Sequence, residues 1–418
     1  MIKSNEIFRL VKKHKETTHN FFWRSLQIGA KQGTTFLIFF IAAYYLIPED
    51  LGLFSYLMAV VGLLLIVCDF GFSPSASKYV AELKAKKSKN INRILFSISV
   101  VIIGLATVVS LFVIFFGKYI FEEYILLLYL IPYLFFLPLS SVADGVYRGL
   151  KNFKKLSVIS VVVAVFSLPV SFFLIKSYGL IGAIISQNIL FGLLTAALFV
   201  FKGDIEFKFD GKVTKDIVKY AMIIGLANIA FFLYTRVDIL ILKQFGFIVE
   251  IGYYEIVNKV FTILFIPAAI LGQVIAPDIT KYMTLGKVDI IRKKIIKFLP
   301  IFILEGALFS LILYFLFPLG IKWFFPKYYT ESFMLIMSIL LILLPIKLWG
   351  IFLTNGFITP GGFIKIVTIT TFIGGFLNVI FDYIFISWFG FIGVFWVTLV
   401  IHSTNIMVQG IYFFKRLK

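Results

Sequence analysis

Apolar residues in this chain fall into twelve runs of about 20 residues, separated by short polar segments. A helix of that length crosses the hydrocarbon core of a bilayer, about 30 Å thick. Only helices and closed barrels satisfy their backbone hydrogen bonds there. The pattern therefore predicts an all-α integral membrane protein with twelve transmembrane helices. The predicted spans are 25–47, 52–73, 94–117, 123–143, 156–175 and 179–201, then 217–242, 252–276, 298–318, 331–350, 366–387 and 390–412.

A short motif occurs twice, about 200 residues apart: PSASKY at 74–79 and PDITKY at 277–282. Each copy follows a glycine-aromatic turn, GLFSY at 52–56 or GYY at 252–254, at nearly the same distance. Internal repeats of this kind are typical of transporters with a site at the repeat interface. We therefore expect two repeated six-helix lobes around a central cavity. The predicted domains are a cytoplasmic basic N-terminal segment (1–24), an N-terminal lobe (25–201), a cytoplasmic linker (202–216), a C-terminal lobe (217–412) and a cytoplasmic basic tail (413–418).

Composition and charge agree with a membrane protein. Hydrophobic residues make up 61% of the chain and its mean hydropathy is +1.01, well above the apolar content of soluble domains. The net charge of +19 could suggest a nucleic-acid partner, but 31 of the 40 Lys and Arg residues lie on the side of the N-terminus and five on the other. This is the positive-inside asymmetry. It predicts a multi-pass protein of the cell (plasma or inner) membrane, with both termini cytoplasmic and no nucleic-acid partner.

Several kinds of site have no sequence signal. The three histidines and the single cysteine, Cys68, are spread too widely to predict a metal cluster. There is no Walker loop and no G-x-S-x-G motif, so we predict neither an enzyme, a catalytic residue nor a cofactor. A membrane glycan polymerase or ligase is disfavoured because the outer connections are short, the longest running roughly from 319 to 330.

Ionisable side chains inside the spans are the main candidates for function, because each costs about 2.5–3.5 kcal/mol to insert. The first span carries Lys31, and Asp69 lies towards the cytoplasmic end of the second span, at a depth where it could meet Lys31. Two interpretations stay open. The two charges form a structural ion pair, or Lys31 lines a cavity and binds an anion.

The seventh and eighth spans are richer in polar residues. Arg236 and Asp238 are two residues apart on the seventh span and face different ways, so each needs a partner elsewhere. On the eighth span, Glu255 precedes Lys259 by four residues, the favourable orientation for a helical ion pair. A snorkelling ring at the outer interface is the alternative interpretation. Asn228 and Asn258 accompany these charges.

The later spans carry sparser polar residues, which at helical spacing more often join helices than bind substrate. They are Glu305, Lys347, Asn378 with Asp382, and a stripe of His402, Asn405 and Gln409.

Four segments resemble a known family: IPEDLGLF at 47–54, DFG at 69–71, KYVAE at 78–82 and YRGLKNF at 147–153. They are similar to the polysaccharide-transport branch, the Wzx-like oligosaccharide and O-antigen flippases, of the MATE/MOP exporter superfamily. Ile47 departs from the family's usual glycine, and twelve spans rather than fourteen disfavour lipid II as cargo. The resemblance implies two six-helix lobes, with the first, second, seventh and eighth helices lining much of a central cavity.

The sequence thus predicts a flippase that moves a polyprenyl-(di)phosphate-linked oligosaccharide outward by alternating access. The alternative is a multidrug or metabolite exporter driven by H⁺ or Na⁺. Expected partners are the lipid-linked oligosaccharide, membrane lipids, H⁺ or Na⁺, and glycan polymerase or assembly proteins. The candidate substrate-binding residues are Lys31, Arg236, Lys259, Asn228 and Asn258, and the candidate ion-coupling or structural residues are Asp69, Asp238, Glu255 and Glu305.

Overall fold

The computed structural model describes residues 4–88, 91–203 and 205–417, with side chains for all of these except residues 4–18 and 21. The side chains of most of the predicted basic segment 1–24 therefore lie outside the described residues. All regular elements in the described ranges are helical. They are α1 (Ser4–Tyr45), α2 (Pro48–Asp69), α3 (Phe72–Ala85), α4 (Ile91–Ile120), α5 (Tyr124–Leu128), α6 (Ile131–Gly149), α7 (Phe153–Val200), α8 (Gly211–Thr235), α9 (Val237–Gln244), α10 (Ile248–Thr284), α11 (Val288–Phe324), α12 (Glu331–Leu353), α13 (Ile364–Phe389) and α14 (Ile392–Arg416), with a 3₁₀ turn at Pro326–Tyr328 and a π-helical turn at Thr354–Ile358.

The described residues contain eleven helical segments long and apolar enough to cross a membrane, of which one joins α2 to α3 and another joins α5 to α6. One of them, α7, has 48 residues and would be about 72 Å long if straight, more than twice the thickness of the hydrocarbon core. Gly179 breaks it with a φ of 55° and a ψ of −126°. The break gives two membrane-length pieces that match the predicted spans 156–175 and 179–201. The all-α fold with twelve spans is therefore confirmed.

The same break recurs between the last two helices, at a place that the sequence analysis did not recognise as a repeat. Gly390 between α13 and α14 has a φ of 62° and a ψ of −152°, close to the values of Gly179. Three residues later a second glycine packs against the backbone eight residues before it. A Cβ on Gly182 would lie 2.0 Å from the carbonyl oxygen of Leu174, and one on Gly393 would lie 2.4 Å from that of Phe385. The two halves thus share a G-x-x-G turn that only glycine fits.

Two further breaks occur in only one half each. Phe70 and Gly71, with φ of 39° and 85°, separate α2 from α3, so the second span ends at Asp69 and not at the predicted residue 73. The polar segment after it begins with helix α3, which packs closely on α6. A Cβ on Gly145 would lie 2.2 Å from the carbonyl oxygen of Ser73. In the second half, Arg236 separates α8 from α9 with a φ of −140°.

The chain forms two compact units. Unit 1 comprises Met1–Tyr45 and Val60–Asn228, and unit 2 comprises Leu46–Ala59 and Ile229–Lys418. The start of α2 therefore belongs to unit 2, where it meets its own repeat in α10. A Cβ on Gly52 would lie 1.8 Å from the carbonyl oxygen of Ile248, and one on Gly252 would lie 2.5 Å from that of Pro48. The repeated glycines serve this close helix contact. The predicted domain boundaries and the central cavity between lobes stay predictions.

Candidate functional site

In unit 1, a carboxylate on α6 joins three helices. Asp144 Oδ1 accepts a hydrogen bond of 2.6 Å from Arg148 Nε, one turn later on α6. Its Oδ2 accepts a bond of 3.0 Å from Gln27 Nε2 on α1 and lies 3.4 Å from Arg24 Nη1. Arg148 also donates to Ser73 Oγ on α3, at 2.8 Å. Asp144 is not among the predicted site residues, because the fourth span was predicted to end at residue 143. The i, i+4 spacing to Arg148 was the signal available.

Lys31 and Asp69 also lie in unit 1, near this cluster. Lys31 is half-buried and its Nζ lies 5.6 Å from the ring centroid of Phe191. It interacts electrostatically with Asp144 and Asp69, but no N···O distance between it and a described carboxylate is 4.0 Å or less. Asp69 Oδ1 is buried and has no hydrogen-bond partner among the described residues. Lys31 and Asp69 thus make no direct contact within 4.0 Å, and both the structural pairing and the role of Lys31 in anion binding stay predictions.

In unit 2, the break between α8 and α9 presents a guanidinium group to a buried carboxylate. Arg236 Nη1 donates a hydrogen bond of 2.7 Å to Glu255 Oε1 on α10. The Glu255 side chain is 5% exposed and that of Arg236 is 41% exposed. The pair leaves most of the five N–H donors of Arg236 available to another ligand.

Asp238, two residues later, faces a different partner, as the spacing predicted. Its Oδ2 accepts a hydrogen bond of 2.6 Å from the hydroxyl of Tyr254, and its Oδ1 accepts one of 2.9 Å from the backbone N–H of Ile239. It lies in the first turn of α9, where the helix dipole favours a negative charge. Glu255 and Tyr254 are neighbours in sequence. A single turn of α10 therefore provides the hydrogen-bond partners of both Arg236 and Asp238 at the α8–α9 break.

These side chains border a cavity of about 470 Å³ within unit 2. Helices α8, α9, α10, α12, α13 and α14 contribute to its walls. Two basic side chains and one acidic side chain line it, together with amides, hydroxyls and aromatic rings. Its main polar lining residues are Arg236, Asp238, Asn258, Lys347, His402 and Gln409.

The later spans therefore line the cavity, although their polar stripes were predicted mainly to join helices. On α14, Gln409 Nε2 donates to Asn405 Oδ1 and to Thr370 Oγ1 of α13, both at 2.8 Å. The ring of His402 lies over that of Tyr234, with centroids 4.4 Å apart. The stripe thus does both: it joins α14 to its neighbours and faces the cavity. The π-helical turn that follows α12 places Thr354 and Asn355 in the lining. Such turns are often found at functional sites.

A second buried carboxylate in unit 2 interacts electrostatically with Asp238. Asp382 on α13 is 0% exposed, and neither of its carboxylate oxygens has a hydrogen-bond partner among the described residues. One turn earlier, Asn378 is also buried and its Nδ2 lies 3.4 Å from the carbonyl oxygen of Leu233, which leaves its Oδ1 as an acceptor. Two carboxylates and an amide oxygen thus share a buried region with few donors.

The other predicted site residues are more scattered. Lys259 is half-buried on α10, one turn after Glu255. Asn228 and Glu305 are exposed side chains outside the cavity, Asn228 in unit 1 and Glu305 on α11. Arg236, Asp238 and Asn258 are the predicted residues that the structure brings together around the cavity.

The family follows from comparison with known proteins. The sequence profile of a family described as polysaccharide biosynthesis protein matches residues 17–283, well over half of the chain. The chain belongs to this family. No curated protein matches the sequence.

Solved structures show the same fold at low sequence identity. An inward-facing multidrug-resistance MATE transporter of the MOP superfamily matches with a TM-score of 0.72 and 14% identity, covering 94% of this chain and 98% of its own. The lipid II flippase MurJ, in an inward closed conformation, matches with a TM-score of 0.66 and 19% identity, covering 92% and 86%. A MOP superfamily transporter from Pyrococcus furiosus matches with a TM-score of 0.58 and 14% identity, and the match covers 94% of this chain and 95% of that transporter. This protein is thus a multi-pass membrane protein with the fold of transporters and flippases, and not that of an enzyme.

Proposed function

We propose that the protein is a flippase for an oligosaccharide carried on a polyprenyl phosphate or diphosphate, which it moves from the cytoplasmic to the outer leaflet. The observation that carries the proposal is the cavity of unit 2, where Arg236 and Lys347 stand among amide and hydroxyl groups. The guanidinium can contact phosphate with two parallel hydrogen bonds. The amides and hydroxyls can replace the hydrogen bonds that the sugar hydroxyls make with water. Each such hydroxyl would otherwise cost several kcal/mol in hydrocarbon.

The charges that line the cavity support this function over the export of cationic drugs. An exporter of cations needs a cavity in which acidic groups outweigh basic ones. Here, besides the ring of His402, Arg236 and Lys347 are the basic side chains of the lining and Asp238 is its acidic side chain. Glu255 pairs with Arg236 from α10 and leaves the other N–H donors of the guanidinium available. Lys31 in unit 1 and Lys259 on α10 are further proposed phosphate contacts. We also propose that both termini are cytoplasmic and that the flipped substrate passes to a glycan polymerase or assembly protein.

Complementation in a bacterial strain that lacks its own sugar-lipid flippase tests this function directly. The measurements are surface glycan and the accessibility of the accumulated lipid-linked sugar to a membrane-impermeant glycosidase. We expect this protein to restore surface glycan and to make the sugar accessible from outside. If it fails with every donor pathway tested and instead lowers the accumulation of cationic dyes, the flippase function is wrong and the exporter alternative is correct.

Two energy sources are available to such a flippase. A diphosphate with about two negative charges gains roughly 4–5 kcal/mol when it moves outward across 100 mV, inside negative. Cation coupling is the second, and Asp238 with Asp382 supports it, because two buried carboxylates near each other are costly without a counterion. We propose that a monovalent cation binds between Asp238, Asp382 and the amide oxygen of Asn378.

Replacement of Asp382 by asparagine tests the proposed cation-binding site. A cation at about 100 times its Kd would stabilise the native protein by about 2.7 kcal/mol. We expect Na⁺ to raise the melting temperature of the purified wild-type protein relative to choline. Asp382→Asn should lose this shift, and should be at least as stable as wild type in choline because it removes a buried charge. Asp289→Asn, which alters an exposed carboxylate in the first turn of α11, is the matched control. An unchanged Na⁺ shift in Asp382→Asn would refute the site.

A further inference from the structure

A second cavity of unit 2 lies on the other side of the wall formed by α12 and α14. It is an apolar groove of about 610 Å³ between α11, α12 and α14. Its lining includes Ile296, Leu299, Ile303, Trp349, Met407 and Phe414. Ile296 is 61% exposed and Met407 is 65% exposed, so the groove opens at the surface of the unit.

The groove is separated from the polar cavity. Ile406 lines both, and a Cβ on Gly350 would lie 2.4 Å from Ile406 Cδ1, so α12 and α14 are in tight contact between them. Residues alternate between the two spaces along both helices: Trp349 and Ser403 face the groove, while Gly350 and His402 face the polar cavity.

One end of the groove is basic. Lys415, near the end of α14, belongs to its lining. Arg292, in the first turns of α11, lies with its Cζ 5.0 Å from the ring centroid of Phe414. Arg292 Nε is buried and has no hydrogen-bond partner among the described residues. Both helix ends belong to the segments that the charge asymmetry predicts to be cytoplasmic.

We propose that the groove binds an anionic phospholipid of the cytoplasmic leaflet, with one acyl chain in the apolar channel and the phosphate at Arg292 and Lys415. Basic pockets between transmembrane helices on the cytoplasmic side are suited to such headgroups. Arg292 as a whole is half-buried beside Phe414 at this end of the groove, and a guanidinium carries five N–H donors that can bind phosphate oxygens. The wall at Gly350 and Ile406 favours a separate lipid over the tail of a substrate seated in the polar cavity. This site is independent of the proposed flippase function.

Photolabelling of the full-length protein in phosphatidylcholine bilayers tests the site. The probe is phosphatidylglycerol with a diazirine on one acyl chain, and the control probe carries the same chain on phosphatidylcholine. We expect the phosphatidylglycerol probe to label α11 and α14 peptides several-fold more strongly. Arg292→Gln and Lys415→Gln should each lower this labelling about fivefold. Lys297→Gln removes the same charge from the exposed side of α11 away from the groove, and should leave the labelling unchanged.

A groove-filling variant gives an independent check. Gly410 lines the groove, and a Cβ there would meet only Leu353, at an ordinary 3.5 Å. Gly410→Leu should therefore fold and should reduce labelling by the lipid chain. Equal labelling by the two probes, or no effect of either basic substitution, would show bulk lipid only and overturn the proposal. Displacement of the probe by polyprenyl phosphate but not by unlabelled phosphatidylglycerol would identify the carrier lipid as occupant, and would overturn it too.

Discussion

Replacing Arg236 with alanine is expected to reduce outward translocation of the lipid-linked sugar by about 10- to 100-fold. The reason is that a hydrogen bond to a charged group contributes about 1.5–3 kcal/mol, and Arg236 is the basic side chain whose donors face the cavity while Glu255 fixes its position. The measurement is the rate at which the sugar becomes accessible to an external glycosidase in cells that depend on this protein. Arg236→Lys should retain part of the rate, because it keeps the charge but loses the planar fork.

The control for this variant must separate binding from folding. Arg236→Ala leaves Glu255, 5% exposed, without its guanidinium partner, and loss of one partner of a buried ion pair destabilises a protein. The double variant Arg236→Ala with Glu255→Gln removes the carboxylate charge as well. It should recover the expression and thermal stability of the wild type but not its transport. If the double variant regains the wild-type rate, Arg236 is a structural partner of Glu255 and not a substrate contact. Lys322→Ala, an exposed lysine in the last turn of α11, should have no effect.

Replacing Asp144 with alanine is expected to lower the free energy of unfolding by about 3 kcal/mol, the range for breaking a buried ion pair. The Asp144 side chain is 11% exposed and receives contacts from Arg24 and Arg148, whose side chains are 30% and 25% exposed. Without it, two guanidinium groups and the amide of Gln27 lose their acceptor on α6. The check is the unfolding transition of the detergent-purified protein.

A surface ion pair supplies the matched comparison for Asp144. Glu82 lies 4.0 Å from Lys78 on α3, with both side chains more than 40% exposed. Glu82→Ala should therefore cost no more than about 0.5 kcal/mol, as exposed helical pairs do. The loss of unfolding free energy in Asp144→Asn should lie between the losses in Asp144→Ala and Glu82→Ala, because the amide oxygen still accepts a hydrogen bond but carries no charge. Equal stability of Asp144→Ala and Glu82→Ala would show that the cluster does not hold α1, α3 and α6 together.

The candidate site was only partly predictable, because the sequence does not show which face of each helix points towards the cavity. The spacing of Arg236 and Asp238 showed that each needs a separate partner, but not that the partners are Glu255 and Tyr254 on one turn of α10. Lys347 and His402 were noted as polar residues of the later spans, yet nothing in their spacing showed that they face the same cavity. Asp144 was missed altogether because hydropathy does not mark where a helix continues past the apolar run.

The membrane class, the twelve spans and the repeat can be predicted from the sequence, because the length of an apolar run and the position of glycines are properties of the chain alone. Other features are visible only in the tertiary structure. The repeated glycines Gly52 and Gly252 lie at one helix contact, and α7 is broken at Gly179. Arg236 and Lys347 line one cavity. Asp382 is buried, and its carboxylate has no hydrogen-bond partner among the described residues. These facts depend on which face each helix turns towards its neighbours, and in a chain so uniformly apolar the hydrophobic pattern does not distinguish the faces.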